Sequence, residues 1–278
     1  MAAALADADL VVVENVCSLP LHPAAGAVVA DVLRNRPAIL HHYDLPWQRD
    51  RFAHVSGWPP RDEAWAQVTV NDHSRDELAA GGIDATTIRC GVDVHVPHGD
   101  RAAARARAGI GDDELVLLHP VRAIARKAVP VAVALAEALG ATYWLTGPAE
   151  EGYGPTLASV LATARCKVVH HSVPSIADAY AACDAVALPS TWEGFGNALA
   201  EAAVHRRPIA VGRYPAAREL VDLGFRWFAP DEPDALARHL AVPDPTLHDD
   251  NEALVREHLS LERVSTDLLG LLARRWSL

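Results

Sequence analysis

From Leu115 onward, short apolar runs alternate with stretches of helix formers, and this alternation narrows the chain to one kind of fold. Residues 115–119, 142–145, 167–170, 185–188 and 208–211 have strand length and strand composition, and 226–228 continues the series. Helical segments lie between most of them. Strands that alternate with helices run parallel, because each helix returns the chain to the same edge, so a doubly wound α/β sheet is predicted. Ligands on such sheets sit in the loops beyond the carboxyl ends of the strands. The first of these strands is not followed by G-x-G-x-x-G, so a dinucleotide site lacks its fingerprint.

Two of the strand-end loops carry chemistry. After 185–188 comes Pro189-Ser-Thr-Trp-Glu193-Gly-Phe-Gly-Asn197, and then an Ala-rich helix containing Glu201. Gly194 and Gly196 let the backbone approach a ligand closely, Asn197 is of a type that caps a helix, and the free N–H groups of the new helix favour an anion. The loop after 115–119 holds Arg122 and Lys127. Lys127 stands out because only it and Lys167 are lysines among 25 basic residues. The plainer alternatives are an ordinary capped strand–loop–helix and a solvated basic loop.

The first third is predicted to hold a strand at 10–13, a helix at 23–34, a strand from 38 that ends in a polar loop by 49, a strand at 67–71, a helix to about 80, and a strand leading to 90–93. His41 and His42 are adjacent, so they point to opposite faces of the strand and at most one faces the loop end. The other reading of either is a satisfied core histidine. These assignments give an N-terminal domain at 1–93, a connection at 94–113 with a short Arg/Ala helix, and a second domain at 114–278 whose tail, 247–276, is helical.

A net charge of −11 argues against nucleic acid or anionic lipid as a partner. Cys17, Cys90, Cys166 and Cys183 show no C-x-x-C spacing, and the N-terminus has neither a basic n-region nor a long apolar run. Free thiols, no transmembrane segment and a cytoplasmic location are expected. Asp7-Ala8-Asp9 is taken as a chance D-x-D, and the paired histidines splay apart, so no metal site is expected.

Glu193-Gly194-Phe195-Gly196-Asn197 with Glu201, taken with Arg122 and Lys127, resembles the E-x7-E signature and diphosphate grip of retaining GT-B glycosyltransferases, glycosyltransferase family 4. The resemblance runs from about residue 10 to the C-terminus and is strongest in the second domain. It implies an α/β, GT-B-like fold of two Rossmann-like domains facing a cleft, the N-terminal one incomplete. It also implies that Glu193 contacts the donor sugar, the backbone of Gly194, Phe195, Gly196 and Asn197 the sugar and diphosphate, Glu201 the ribose, and Arg122 with Lys127 the diphosphate. His171 and Val173 fall where relatives hold the nucleobase. His42 lies near the family's acceptor-side histidine, whose own place is taken here by Tyr43.

By the same resemblance the reaction is retaining and metal-independent, uses no cofactor, and moves a sugar from a UDP-, GDP- or ADP-linked donor to a hydroxyl acceptor that the sequence does not name. Relatives start with further βα units before a segment like 10–16. Their absence predicts either a shortened version or a second copy or partner chain that covers the gap. A non-catalytic or split-subunit nucleotide-sugar-binding protein is the alternative function, and a sugar-nucleotide epimerase of similar fold is a weaker one.

Overall fold

The computed structural model describes residues 5–276. The chain divides into two compact units, Met1–Gly91 together with Glu262–Leu278, and Val92–Leu261.

The first unit contains β1 (Val11–Glu14), α1 (Pro23–Val32), β2 (Ala38–His42), β3 (Trp65–Thr69), α2 (Asp72–Ala80) and β4 (Ala85–Thr87). The strands form a parallel four-stranded sheet in that order, with Val12 opposite Ile39 and Leu40 opposite Gln67. β3 is buried on both faces, as a parallel strand covered by helices must be. On one face Ala30 and Leu33 of the α1 region pack with Val13, Leu40 and Trp65, and the Trp65 indole N–H donates to Leu33 O at 3.0 Å. Asn71 caps α2 by accepting from the Ser74 N–H at 2.6 Å.

The second unit contains α3 (Arg101–Ala108), β5 (Val116–His119), α4 (Val129–Leu139), β6 (Thr142–Leu145), α5 (Gly154–Thr163), β7 (Val168–His170), α6 (Ile176–Ala182), β8 (Ala185–Leu188), α7 (Asn197–Val204), β9 (Ile209–Val211), α8 (Pro215–Asp222), α9 (Pro233–Ala241) and α10 (Pro245–His258). Its five strands are parallel in the order β7-β6-β5-β8-β9. Residues 226–228 form no strand: Phe228 makes one bridge to Ala210, and Pro230 soon after has no N–H with which to extend a ladder.

The division differs from the expected 1–93, 94–113 and 114–278. Residues 94–113 belong to the second unit, where the buried Arg105 of α3 donates to carbonyls just before β5 and β8. The final helix, α11 (Leu261–Trp276), belongs with the first unit. Its Val264, Leu268, Leu271 and Leu272 pack on Ile39, Ala66, Val68 and Ile88, closing the second face of that sheet. No helix among the described residues is long and apolar enough to cross a membrane.

Two buried histidines give the fold an acid limit. The ring nitrogens of His42 pair with the Ser18 hydroxyl at 2.8 Å and with Gln67 Oε1 at 2.6 Å, and burial pushes its pKa down to about 4. His119 pairs with the Tyr143 hydroxyl at 2.8 Å, and burial, then the Lys127 charge, lowers it to about 3. Both values lie below that of an unfolded histidine, so the unfolded chain takes up protons first. The stability these rings allow is complete above pH 6.5 and falls as the pH drops toward their folded values. Across that window the loss is about 3 kcal/mol for His42 and about 5 kcal/mol for His119. Denaturant midpoints measured at pH 7 and pH 4.5 should show the fall, and His119→Asn should reduce its slope.

Candidate functional site

In the second sheet the chain runs outward from β5 through β6 to β7, then returns to the other side of β5 for β8 and β9. Between β5 and β8 the direction of winding reverses, and the loops leaving their carboxyl ends define a crevice of the kind where α/β sheets hold ligands. Those loops are Val121–Ala128 and Pro189–Gly196.

Backbone bonds tie the neighbouring loops together. The Thr191 N–H donates to Arg126 O at 2.9 Å, Ala123 N–H to Pro148 O at 2.8 Å, Glu150 N–H to Ala123 O at 3.0 Å, and Gly212 N–H to Leu188 O at 2.9 Å. Two glycines permit the approach. A Cβ on Gly147 would lie 2.3 Å from Val121 O, and one on Gly212 would lie 2.2 Å from Ser190 O.

A three-charge cluster sits on this frame. Residues Ala125–Lys127 form a 3-10 turn that aims Arg126 and Lys127 at Glu193 in the facing loop. Arg126 Nη1 donates to Glu193 Oε2 at 2.6 Å and to Trp192 O at 3.0 Å, and Lys127 Nζ donates to Glu193 Oε1. Glu193 is 6% exposed. Burial raises its carboxyl, but Lys127 and Arg126 more than offset that, so it lies below its ordinary value and is ionised. Burial lowers the Lys127 amine, and Glu193 opposes the shift.

Beside the cluster, α7 begins. Its N-cap is Gly196, with φ +91°, and not Asn197, which is the first helical residue. The left-handed backbone at the turn needs a residue without Cβ, and this decides the position of the cap. Glycine offers no side chain with which to cap α7, so its first N–H groups lack the usual side-chain acceptor at the N-cap. A Cβ at Gly196 would also stand 2.9 Å from the Tyr214 Oη. Gly196→Ala is therefore expected to destabilise the chain by more than about 1 kcal/mol and to disturb the turn, a loss readable as a lowered melting temperature.

The remaining predicted residues are distributed unevenly. Phe195 is buried under the turn. Glu201 lies on α7 and its Oε2 accepts from the Tyr180 hydroxyl at 2.8 Å. Arg122 is turned toward the β6 loop and pairs with Glu150 at 2.6 Å, so Arg126, and not Arg122, shares Glu193 with Lys127. His171 donates from Nδ1 to Ser172 O at 2.8 Å, and its Nε2 is buried without a partner among the described residues. Val173 is half-buried in the same loop. His42 is fully buried with both ring nitrogens engaged, which is the satisfied core histidine of the two readings and leaves no nitrogen for a ligand. Arg126 and Tyr214 were not singled out by sequence reasoning. For Arg126 the available signal was its place beside Lys127. Among the described residues no three His, Cys, Asp or Glu side chains are grouped as metal ligands.

A buried carboxylate held by two cations thus lies beside the start of α7 at the strand-end crevice. Residues 121–242 match the family described as glycosyl transferases group 1. The match lies within the second unit and contains Arg126, Lys127, Glu193 and Tyr214. The chain is also similar to the mannosylglucosylglycerate synthase of Petrotoga mobilis, with 25% identity over 272 residues, covering 79% of this chain and 63% of that enzyme. The corresponding synthase of Thermotoga maritima is 24% identical, covering 96% of this chain and 76% of its own length. Among solved structures, sucrose-phosphate synthase from Thermosynechococcus elongatus matches with a TM-score of 0.76 at 18% identity, covering 99% of this chain and 76% of that one. Anabaena HepE, in complex with UDP-glucose, matches with a TM-score of 0.75 at 20% identity, covering 98% and 80%. The fold is Rossmann-like and GT-B-like.

Proposed function

We propose that this chain is a glycosyltransferase of family 4 type, which moves a sugar from a nucleotide-sugar donor to an acceptor hydroxyl with retention at the anomeric carbon. The observation that carries the reading is the meeting of Arg126 and Lys127 with Glu193 beside the α7 N-terminus, at the crevice between β5 and β8. In the transfer, the anomeric carbon–oxygen bond to the diphosphate breaks as a bond from the acceptor oxygen forms on the same face. The acceptor proton passes to the leaving phosphate oxygen. Arg126, Lys127 and the helix N–H groups stabilise the charge that grows on the diphosphate, Arg122 extends this cationic wall once it leaves Glu150, and Glu193 orients the donor sugar. His171 and Val173 flank the nucleobase and Glu201 holds the ribose. These residues need no metal for charge stabilisation.

HepE is complexed with UDP-glucose, and the two synthases are named for a product containing mannose, glucose and glycerate. UDP-glucose and GDP-mannose are thus the first donors to try, with a glycosylated glycerate as acceptor. The test is calorimetric binding and free-nucleotide release with UDP-, GDP- and ADP-sugars. Binding with release supports transfer, and binding of none overturns the proposal. The first unit favours one second reading, because its four-stranded sheet leaves β1 at an edge with Val12 and Val16 about half exposed. A nucleotide-sugar-binding subunit completed by another chain would bind donor but release no nucleotide with any acceptor.

A further inference from the structure

Glu193 engages both of its cations with both of its oxygens, Lys127 through Oε1 and Arg126 through Oε2. A phosphate that approaches Lys127 and Arg126 can bond to their remaining N–H groups, but it meets cations whose charge Glu193 largely neutralises, and it gains their full charge only as that carboxylate withdraws. The displaced group cannot remain buried without a donor, since an unpaired buried charge costs far more than a paired one.

Tyr214 supplies such a donor. It lies in the loop after β9, is 4% exposed, and its hydroxyl has no partner among the described residues. The point where a Gly196 Cβ would stand is 2.9 Å from Tyr214 Oη and 3.6 Å from Glu193 Cγ, so phenol and carboxylate arm share one small space under the turn. Burial, and next the Glu193 charge, holds the phenol well above its ordinary range, so it keeps its proton and can only gain by donating it. A lone buried hydroxyl contributes nothing to the fold as it stands, and replacing it by hydrogen is neutral or slightly stabilising.

We propose that Tyr214 is a positioning residue that receives the Glu193 carboxylate when a diphosphate takes the Arg126–Lys127 pair, so that Glu193 competes with bound diphosphate and its return favours product release. This inference rests on the donor-site reading above. Glu193 then has two stations, one on the cations and one on Tyr214, and the second is the station from which it faces the donor sugar.

The test is a double-mutant cycle read by calorimetry with inorganic pyrophosphate and with UDP. Glu193→Ala is expected to bind both about tenfold more tightly than the wild type, the worth of one charge-assisted hydrogen bond freed on Lys127. Glu193→Gln is the isosteric substitute should the alanine variant fail to fold, with the same direction expected. Tyr214→Phe is expected to weaken both by about tenfold in the wild-type background, to have no effect beside Glu193→Ala, and to leave the melting temperature unchanged or raised. The inference is overturned if removing the carboxylate leaves pyrophosphate no tighter, if Tyr214→Phe acts equally in both backgrounds, or if no variant binds pyrophosphate. Failure of the nucleotide-sugar reading looks different: UDP would bind no better than pyrophosphate while the coupling between Tyr214 and Glu193 persisted.

Discussion

Lys127→Ala is expected to slow sugar transfer by about 10²–10³-fold, the usual cost of removing one preorganised group from a site of developing charge. The side chain is 12% exposed, so its charge acts through little water. Its loss does not strand Glu193, because Arg126 keeps Oε2 at 2.6 Å. The fold should therefore survive, and the change should appear in turnover. Nucleotide release from the donor found for the wild type is the measurement, with a melting curve as control. Unchanged release in a folded variant would remove Lys127 from the machinery.

The largest effect on stability is expected at Arg105, on α3. Arg105 is 1% exposed, and its guanidinium donates to Ala182 O at 3.0 Å, Gly111 O at 2.7 Å, Asp112 O at 3.0 Å, Glu114 O at 2.8 Å and Asp184 Oδ2 at 2.9 Å. Asp184 also accepts from Arg101 at 2.8 Å and from the Val116 N–H at 2.8 Å. One side chain thus joins α3 to the starts of both β5 and β8. Arg105→Ala removes every one of those donors while the acceptors stay where they are. Breaking a buried pair in this way costs about 3–5 kcal/mol. By the usual scaling for a chain of this size, the melting temperature should fall by roughly 10 °C, measurable by scanning calorimetry. Arg105→Lys should recover little, because an ammonium cannot reach acceptors spread around a planar fork.

Much of the second unit was legible in its sequence. Strand and helix periods there are local properties, and the five strands from β5 to β9 fall where the apolar runs lie. Glu193 and Lys127 were also identifiable, since each sits in a loop after a strand. Their contact spans 66 positions and needed the sheet order to bring β5 beside β8. That Arg126, where the sequence reading named Arg122, meets Glu193 follows from the 3-10 turn at Ala125–Lys127, whose orientation no spacing rule gives. Gly196 displaced Asn197 as the cap because a positive φ is a property of the turn, not of the capping side chain. The unit boundary was hidden for a similar reason. The stripe Val264, Leu268, Leu271 and Leu272 announces an apolar face on α11, but nothing within the helix says which sheet it will cover. His42 shows the same limit: its partners Ser18 and Gln67 lie 24 and 25 residues away on opposite sides in sequence.

The bonds that lace the loops after β5, β6, β8 and β9 restrict how a site of this kind can change over evolutionary time. Insertion between Gly147 and Glu150, or a larger residue at Gly212, would part backbone groups that now meet across neighbouring loops. A change of loop length here therefore costs these inter-loop bonds. Exchange of side chains on these fixed loops stays open, at a position such as Glu150, and would leave the contacts among Arg126, Lys127 and Glu193 in register.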